Sequence, residues 1–382
     1  MTRAVRTPAV RPRVVIAGLG DSGLLTALRV SRFADVVGIS VNPGLLSGQE
    51  LGVRLTRPAE WARDYWVPFH RYRGLDGVRM VQAQLTGVDL HGRIVHAERA
   101  DGTAVAEPYD SLIISTGVSN GFWRRAQMQS AIDIAADLTG THHRLSDAAS
   151  VIVIGGGAAA VSAAANLAAH WPDKKIDLYF PGDRPLPQHH PKTWEHLQRR
   201  LIRSGVGLHP GHRAVVPDGF DCDAITCGPV QWSTGQAPAE AEAVLWTIGR
   251  VRPNTDWLPP ELLDADGFVK VTPELRVPGY RGVFAVGDVA ATDPLRSSAR
   301  NRADAVLAYN IRAEPVGRPL RTYKPPRRRW GSVIGIQSDG VEVFAPSGRP
   351  FRIPARAVER VLMPWIVRRG IYRGVRENRP LG

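Results

Sequence analysis

The sequence predicts an α/β fold with parallel sheets, because one structural unit occurs twice along the chain. The unit is a short apolar strand, a glycine-rich turn and a helix, found first at residues 13–30 and again at residues 150–170. Each copy is followed later by an apolar strand that closes on a T-x-G-like pattern, at residues 109–117 and 243–249. Strands that alternate with helices in this way pair in parallel and are buried on both faces.

The first turn carries glycines at the spacing G-x-G-x-x-G. Gly18 permits the tight turn, Gly20 lets the backbone approach a pyrophosphate, and Gly23 allows the helix to pack closely on the strand. Leu24 to Val30 is the helix expected to follow, and its N-terminus supplies amide donors and the positive end of its dipole. The pattern predicts a dinucleotide site near the start of the chain.

The stretch between the two units reads as a strand, a helical cover and a set of hairpins. Residues 34–40 form the strand, and residues 49–73, with two tryptophans and several charges, are typical of an irregular helical cover. Alternating residues with Asp-Gly and His-Gly turns predict hairpin-like strands at residues 78–87, 91–98 and 104–108.

The second turn is a run of three glycines, Gly155, Gly156 and Gly157. Ala160 stands where a further glycine would be, and its small side chain still permits close helix packing. The elements expected beyond it are a strand at 175–180, a helix at 193–204 with Thr193 as N-cap, a meander at 222–234, a buried strand at 282–288 and a helix at 298–311.

Length and composition predict a soluble globular protein of two or three domains. The chain has 382 residues, of which 43% are hydrophobic and 22% charged, so it can bury sizeable cores. Its net charge of +13 is concentrated in residues 316–382, which hold 15 Lys/Arg against 4 Asp/Glu. This asymmetry predicts an anionic partner for the C-terminal end, a membrane surface or an acidic redox protein, with nucleic acid the less favoured choice.

The only two cysteines, Cys222 and Cys227, argue against a disulfide scaffold and suit a reducing compartment. No apolar secretory segment precedes the first strand, so we expect a cytoplasmic protein that can lie peripherally on the inner face of the membrane. The paired histidines at 142–143 and 189–190 have no cysteine or carboxylate at ligand spacing, and no metal site is expected.

Taken in order, the motifs resemble those of the FAD-dependent pyridine nucleotide-disulfide oxidoreductase superfamily, whose members carry two dinucleotide-binding domains. Besides the two glycine turns, the matching motifs are Ser-Thr-Gly at 115–117, Thr-Ile-Gly-Arg at 247–250 and Val-Phe-Ala-Val-Gly-Asp at 283–288. The closing segment, with Tyr323-Lys324-Pro325 and Asp339-Gly340-Val341, looks most like apoptosis-inducing-factor-like NAD(P)H:quinone reductases, and type II NADH dehydrogenases are next.

The resemblance implies two Rossmann-like three-layer domains, with the NAD(P) domain inserted in the FAD domain, and a small C-terminal α+β region. The expected bounds are 12–120 and 266–315 for the FAD-binding domain, 121–265 for the NAD(P)H-binding domain and 316–382 for the basic C-terminal domain. It also implies that FAD binds at Gly18, Gly20, Asp21, Ser22, Gly23, Ser40, Thr116, Gly117, Gly287 and Asp288, with Asp288 on the ribityl chain. NADPH or NADH, the hydride donor, would bind at Gly155, Gly156, Gly157, Ala160, Arg184 and Gly249.

Three positions and one segment depart from the family pattern. The strand after each glycine turn usually ends in an acid that binds ribose hydroxyls, but Ser40 and Phe180 stand there. Loss of the second acid, with Arg184 four residues on, favours NADPH or dual specificity. Ser162 replaces a glutamate that related reductases carry near the flavin. The basic segment 296–302 replaces the Ala-Gln-rich quinone motif of type II dehydrogenases.

Residues 357–376 place apolar side chains on one helical face, with arginines around them. Two interpretations remain open: an interfacial anchor on anionic lipid, or a small C-terminal domain that packs its apolar face on the body. Pro364, Gly370 and Gly374 predict that the segment is broken into short pieces.

The sequence therefore predicts an FAD-dependent NAD(P)H oxidoreductase that passes electrons to a small-molecule acceptor, with a quinone the leading choice. A reductase of a ferredoxin-like carrier, and a flavin-binding redox-sensing protein with little turnover, are the alternatives. No side chain is singled out as a catalytic acid or nucleophile. The acceptor, the choice of coenzyme and the oligomeric state, including a homodimer, stay open.

Overall fold

The computed structural model describes residues 11–121, 123–248, 251–296, 299 and 301–377, and within them the chain forms twenty strands and eight α-helices. The strands are β1 (Arg13–Ala17), β2 (Asp35–Ser40), β3 (Gly44–Leu46), β4 (Trp66–Pro68), β5 (Val78–Gln82), β6 (Gln84–Asp89), β7 (Ile94–Glu98), β8 (Ala104–Pro108), β9 (Ser111–Ile114), β10 (Val118–Ser119), β11 (Ser150–Ile154), β12 (Lys175–Tyr179), β13 (Gly207–His209), β14 (Thr226–Val230), β15 (Ala239–Trp246), β16 (Arg252–Pro253), β17 (Val283–Ala285), β18 (Ile336–Gln337), β19 (Gly340–Phe344) and β20 (Pro350–Pro354). The helices are α1 (Asp21–Val30), α2 (Leu51–Thr56), α3 (Pro58–Tyr65), α4 (Ala131–Asp147), α5 (Ala158–His170), α6 (Pro191–Arg203), α7 (Ala303–Ala313) and α8 (Ala355–Ala357).

The first sheet has five parallel strands in the order β17-β9-β1-β2-β5. The apolar residues of β1 are completely buried, as expected of a central strand covered on both faces. Helices α1 and α7 pack on one face, and the antiparallel sheet β6-β7-β8 covers the other. This arrangement brings the carboxyl ends of β1, β9 and β17 to one edge of the sheet.

The second sheet has the order β13-β12-β11-β15-β14, and β14 alone runs antiparallel to its neighbour. All of its strands come from the chain between β9 and β17, so this sheet is inserted within the first one. Helices α5 and α6 pack on one face around Leu167, Leu197 and Leu201. A smaller aromatic cluster with Trp232 and Trp246 covers the other face.

The C-terminal region is the antiparallel sheet β18-β19-β20 followed by α8 and by wide π-type turns over Val358–Ile371. Asn166 Nδ2 on α5 donates to the carbonyl of Ile334 over 2.9 Å, and Arg368 pairs with the buried carboxylate of Asp64 over 2.6 Å. The region is therefore joined by hydrogen bonds to α5, which packs on the second sheet, and to α3.

Several local expectations are corrected by these bounds. Residues 78–82 form a parallel strand of the first sheet rather than part of a hairpin. Helix α6 begins at Pro191 after the N-cap His190, because proline suits the first turn and Thr193 is buried inside the helix. The helix expected from residue 298 begins at Ala303.

The segment at 357–376 is also more regular than expected. Wide helical turns continue through Pro364 and Gly370 and end at Ile371, before Gly374. Among the described helices, none combines the length and the apolar character needed to span a bilayer.

Candidate functional site

A cavity of about 970 Å³ lies where the carboxyl ends of the two sheets meet. Both glycine turns line it, the first through Gly18 and Gly20 and the second through Gly156 and Gly157. Two turns that are about 140 positions apart in the sequence are thus brought to one space. The volume lies at the upper end of the range typical of small-molecule and cofactor sites.

The first turn is shaped by a close approach of two backbone segments. Gly18 has a φ of +95°, and a Cβ on it would lie 2.5 Å from the carbonyl oxygen of Ser115. Gly20 differs, because a Cβ there would meet nothing within 4 Å and would point into open space. Helix α1 begins directly after Gly20, and no described side chain caps it. Gly23 does not line the cavity; it lies against the carbonyl of Gly18, as close helix packing requires.

The second turn repeats this arrangement. Gly155 has a φ of +143° and lies tightly against the Thr247 side chain, so it shapes the turn without lining the cavity. A Cβ on Gly157 would meet nothing within 4 Å, and α5 begins there with no cap from a described side chain. Ala160 is completely buried in the core behind the turn. Gly249 lies outside the described residues.

Gly287 and Asp288 line the cavity directly after strand β17. Asp288 Oδ2 accepts from Arg124 Nη1 over 2.8 Å, and the Arg124 side chain lies over the Cα of Gly48. The sequence motifs gave no signal for Arg124, which comes from a loop before α4. The carboxylate therefore faces the cavity with a fixed cationic neighbour.

The Ser-Thr-Gly turn is held by a residue of the inserted segment. Thr116 Oγ1 donates to the carbonyl of Asn254 over 2.8 Å, and Asn254 Nδ2 donates back to the carbonyl of Thr116 over 2.9 Å. Both residues and Gly117 line the cavity. This reciprocal pair joins the first sheet to the chain that leaves the second one.

The two positions that lack the expected acid differ from each other. Ser40 lines the cavity, and its Oγ accepts from the backbone N–H of Asn42 over 3.2 Å. Phe180 faces the protein core, where it is 2% exposed and contacts Trp194 edge to face. An acid at position 180 would therefore be buried in this fold. Arg184 lines the cavity, and its guanidinium donates to the carbonyl of Leu186 over 3.3 Å.

Ser162 lines the cavity from α5, and its Oγ accepts from the backbone N–H of Gly52 over 3.2 Å. A Cβ on Gly52 would overlap the backbone of Ser162, so α2 and α5 are in close contact at this point. Without a carboxylate, Ser162 positions two helices and cannot serve as a proton relay of the acidic kind.

The two cysteines lie apart from this chemistry, whereas His189 is buried and lines the cavity. Cys222 is buried, and burial raises the pKa of its thiol, whereas Cys227 is exposed; neither lines the cavity. No group of three or more His, Cys, Asp or Glu side chains that could hold a metal ion occurs in the described part of the chain.

One wall of the cavity is contributed by the C-terminal region. Trp330 Nε1 donates to Asn301 Oδ1 over 3.3 Å, and the backbone N–H of Arg329 donates to the carbonyl of Gln188 over 3.0 Å. The indole of Trp330 remains 39% exposed at the cavity. The sequence marks Arg329 and Trp330 as part of a basic run suited to dock an acidic redox protein, but it does not place them beside Asn301 and Gln188. The other lining arginines are Arg296, from the basic segment 296–302 noted in the sequence, and Arg125 and Arg213, which no motif identified.

These features fit two dinucleotides. Each uncapped helix N-terminus offers amide donors and a positive dipole end to a pyrophosphate. Gly20 and Gly157 leave the space that a phosphate needs to approach the backbone. Asp288, an acceptor-only group, suits the hydroxyls of a ribityl chain.

A family model described as pyridine nucleotide-disulphide oxidoreductase matches residues 12–308. The chain belongs to this family. It is therefore an oxidoreductase that uses FAD and NAD(P)H, and the predicted fold class is confirmed.

Two relatives illustrate the range of the family. The type II NADH:quinone oxidoreductase Ndh of Mycobacterium tuberculosis is 27% identical over 360 residues, covering 81% of this chain and 74% of that protein. Ferroptosis suppressor protein 1 of Xenopus tropicalis is 24% identical over 346 residues, covering 87% of this chain and 88% of that protein.

Solved structures share the fold. The water-forming NADH oxidase from Lactobacillus brevis bound to NADH has a TM-score of 0.63 and 16% identity, covering 87% of this chain and 74% of its own. The ferredoxin reductase for the CYP199A2 system from Rhodopseudomonas palustris has a TM-score of 0.61 and 19% identity, covering 82% and 79%. At these identities the likeness concerns the fold alone.

Proposed function

We propose that this oxidoreductase transfers hydride from NAD(P)H to FAD and passes the electrons to a quinone. The observation that carries the proposal is the cavity lined by both glycine turns, because hydride transfer needs the two cofactors to meet in one space. Bound FAD would supply the redox chemistry, and the protein would supply binding and orientation.

The residues divide into two cofactor sites. The first turn (Gly18, Gly20, Asp21, Ser22), with Ser40, Thr116, Gly117, Gly287 and Asp288, would hold FAD. The second turn (Gly156, Gly157) and Arg184 would hold NAD(P)H. Gly23, Gly155 and Ala160 act through backbone packing behind these surfaces. We assign the cofactor sites to the domains expected from the sequence, 12–120 with 266–315 for FAD and 121–265 for NAD(P)H.

A planar acceptor fits the wall at Trp330. Its half-exposed indole offers an apolar face for a ring to stack on, and Asn301 holds that indole in place. The similarity to a protein named NADH:quinone oxidoreductase supports a quinone as this acceptor. Ser162, in the position where related enzymes carry a glutamate, leaves the acceptor's protons to solvent.

The test is a rapid-mixing experiment with the full-length FAD-loaded protein. NADPH or NADH should bleach the flavin absorbance within the time of one turnover, and a soluble quinone should restore that absorbance. A panel with ferricyanide and an acidic ferredoxin separates acceptor classes. Protein that cannot be reconstituted with FAD, or whose flavin neither coenzyme reduces, would contradict the proposal.

A protein carrier is the second candidate, and one observation favours it. Arg327 and Arg328 are exposed directly beside Arg329 and Trp330, so a cationic surface borders the cavity wall. An acidic carrier docked there would bring its redox centre towards the flavin. Turnover with ferredoxin that exceeds quinone turnover, and that falls steeply with salt, would select this candidate.

We also propose that residues 355–371 bind an anionic membrane surface. Trp365, Ile366 and Ile371 are about half exposed, and arginines lie around them. Arg369 stacks on the Trp365 ring with its guanidinium carbon 4.7 Å from the centroid. An apolar patch rimmed by arginines is typical of interfacial segments. The same segment is joined to the body by the ion pair of Arg368 and Asp64, so a membrane contact there would be made by an element fixed on the body.

A further inference from the structure

We infer that Arg213 and Arg184 together bind the 2′-phosphate of NADPH and make this coenzyme the preferred hydride donor. The inference rests on the proposed function, because it concerns the NAD(P)H end of the same cavity. Arg213 follows the short strand β13, about 30 residues after the segment that carries Arg184. Both arginines line the cavity.

Hydrogen bonds place Arg213 beside the end of β12. The backbone N–H of His212 donates to the carbonyl of Phe180 over 3.0 Å, and that of Gly211 donates to the carbonyl of Gly182 over 3.3 Å. The end of the strand after the glycine turn is where the adenosine ribose of a bound dinucleotide lies in this fold. The backbone of Arg213 therefore lies next to the expected ribose position. Arg184 lies in the loop that directly follows β12.

The backbone of Arg213 is held on its other side as well. Its N–H donates to Thr234 Oγ1 over 3.2 Å, and its carbonyl accepts from the N–H of Ser233 over 2.9 Å. Behind it, the rings of Tyr179 and Trp232 stack with centroids 4.5 Å apart, and His212 packs against them edge-on. The backbone of Arg213 is thus held in place, and only its side chain has to be ordered when an anion binds.

The charges at this end of the cavity also favour a phosphate. Within the described part of the chain, neither Arg184 nor Arg213 forms an ion pair with a carboxylate. Asp177, two residues before the end of β12, accepts from His209 Nε2 over 2.8 Å. Asp183 is exposed and does not line the cavity.

Because Phe180 stands at the end of β12, no carboxylate from this position favours NADH over NADPH. In other proteins with this fold, an acid at the end of this strand accepts the ribose hydroxyls and repels a 2′-phosphate. Here the side chain faces Trp194 in the core, so neither interaction exists. Two guanidinium groups can each donate charge-assisted hydrogen bonds to a phosphate, whereas the neutral 2′-hydroxyl of NADH offers a much weaker partner.

The test compares 2′,5′-ADP with 5′-AMP, two fragments that differ at the ribose 2′ position, by calorimetric titration of full-length FAD-loaded protein. We expect wild type to bind 2′,5′-ADP about tenfold or more tighter than 5′-AMP. R184A and R213A should each reduce that preference by about tenfold without weakening 5′-AMP binding, and R213K should retain part of it. R199A, an exposed arginine on α6 outside the cavity, is the matched control and should leave the preference unchanged.

The KM ratio of NADPH to NADH in flavin reduction should change in parallel with the fragment preference. Equal affinity for the two fragments in wild type, or an unchanged preference in R213A with an unchanged melting temperature, would overturn the inference. A clear 2′,5′-ADP preference in a protein whose flavin neither coenzyme reduces would instead leave this site standing and contradict the proposed function.

Discussion

Arg124 Nη1 lies 2.8 Å from Asp288 Oδ2, and this ion pair joins the loop before α4 to the segment that directly follows β17. Both side chains are partly exposed to the cavity. The arginine holds one carboxylate oxygen, which leaves the other free to turn towards a ligand hydroxyl. An ion pair between two segments 164 positions apart thus orients the group that we assign to the ribityl chain.

Removal of either partner should weaken FAD binding. We expect Asp288→Ala to raise the FAD dissociation constant by about tenfold or more, because a charge-assisted hydrogen bond contributes roughly 1.5–3 kcal/mol. Arg124→Ala should act in the same direction with a smaller effect, since the carboxylate remains. Flavin titration of the apoprotein measures both dissociation constants, with Arg99→Ala in the turn between β7 and β8 as the control. Unchanged affinity in Asp288→Ala would remove this residue from the FAD site.

The two leading glycines should fail in different ways. Gly18→Ala introduces a Cβ at a φ of +95° and 2.5 Å from the carbonyl oxygen of Ser115, so we expect a loss of at least about 1–2 kcal/mol in unfolding free energy. Gly20→Val adds its side chain to open space at the cavity. We expect this variant to keep the apoprotein's unfolding midpoint and to lose flavin. Denaturant unfolding and FAD titration on both variants distinguish a fold role from a binding role; a flavin-replete Gly20→Val protein would be the contrary result.

The exposed apolar side chains of the C-terminal segment should act on lipid rather than on stability. Trp365 and Ile366 are 57% and 50% exposed, so replacing both with serine should leave the melting temperature nearly unchanged. Co-sedimentation with vesicles rich in phosphatidylserine should fall several-fold. Ile132→Ser, at an 80% exposed apolar position on α4 away from the arginines, should bind vesicles as wild type does. Wild-type protein that stays in the supernatant at low salt would exclude the membrane proposal.

Acid should destabilise the fold partly through His170. Burial, and then the neighbouring His142, lower the pKa of His170 below its ordinary value of 6.5. The unfolded chain therefore takes up this proton more readily, so stability is lost as pH falls through about 6.5 and is regained above it. Between about pH 7.5 and about pH 5.5 the melting temperature of His170→Gln should fall less than that of wild type. His91→Gln, at another exposed histidine in the turn between β6 and β7, serves as control, and parallel curves for all three proteins would refute the assignment.

The glycine turns could be predicted because their requirements are local. A positive φ at Gly18 and an open Cβ direction at Gly20 are properties of a few adjacent residues, and the spacing alone reveals them. Helix α4 carried a local signal too, since Ser130 and Asp133 form a reciprocal capping box, but the sequence interpretation overlooked it. Its N-terminal cap and its buried Ile134 and Leu138 would have identified the helix.

The arginines of the cavity could not be found in this way. Arg124 and Arg213 come from loops that carry no motif, and Arg329 belongs to a basic run whose position at the cavity the sequence does not reveal. They line one cavity only because two sheets and the C-terminal region converge. The same limit applies to Phe180, whose position in the sequence predicts a missing acid but not a side chain that faces the core. Tertiary packing, rather than propensity, decides such positions.

The insertion of one sheet within the other has a consequence for how the chain is made. Every strand of the second sheet has left the ribosome once Trp246 has emerged, whereas the first sheet waits for β17 at Val283–Ala285 and for α7 beyond it. Because chains fold by units during synthesis, we expect the internal unit to mature before the terminal one that surrounds it. Asp288 is translated after both glycine turns, so flavin uptake becomes a late event that only a nearly finished polypeptide can perform.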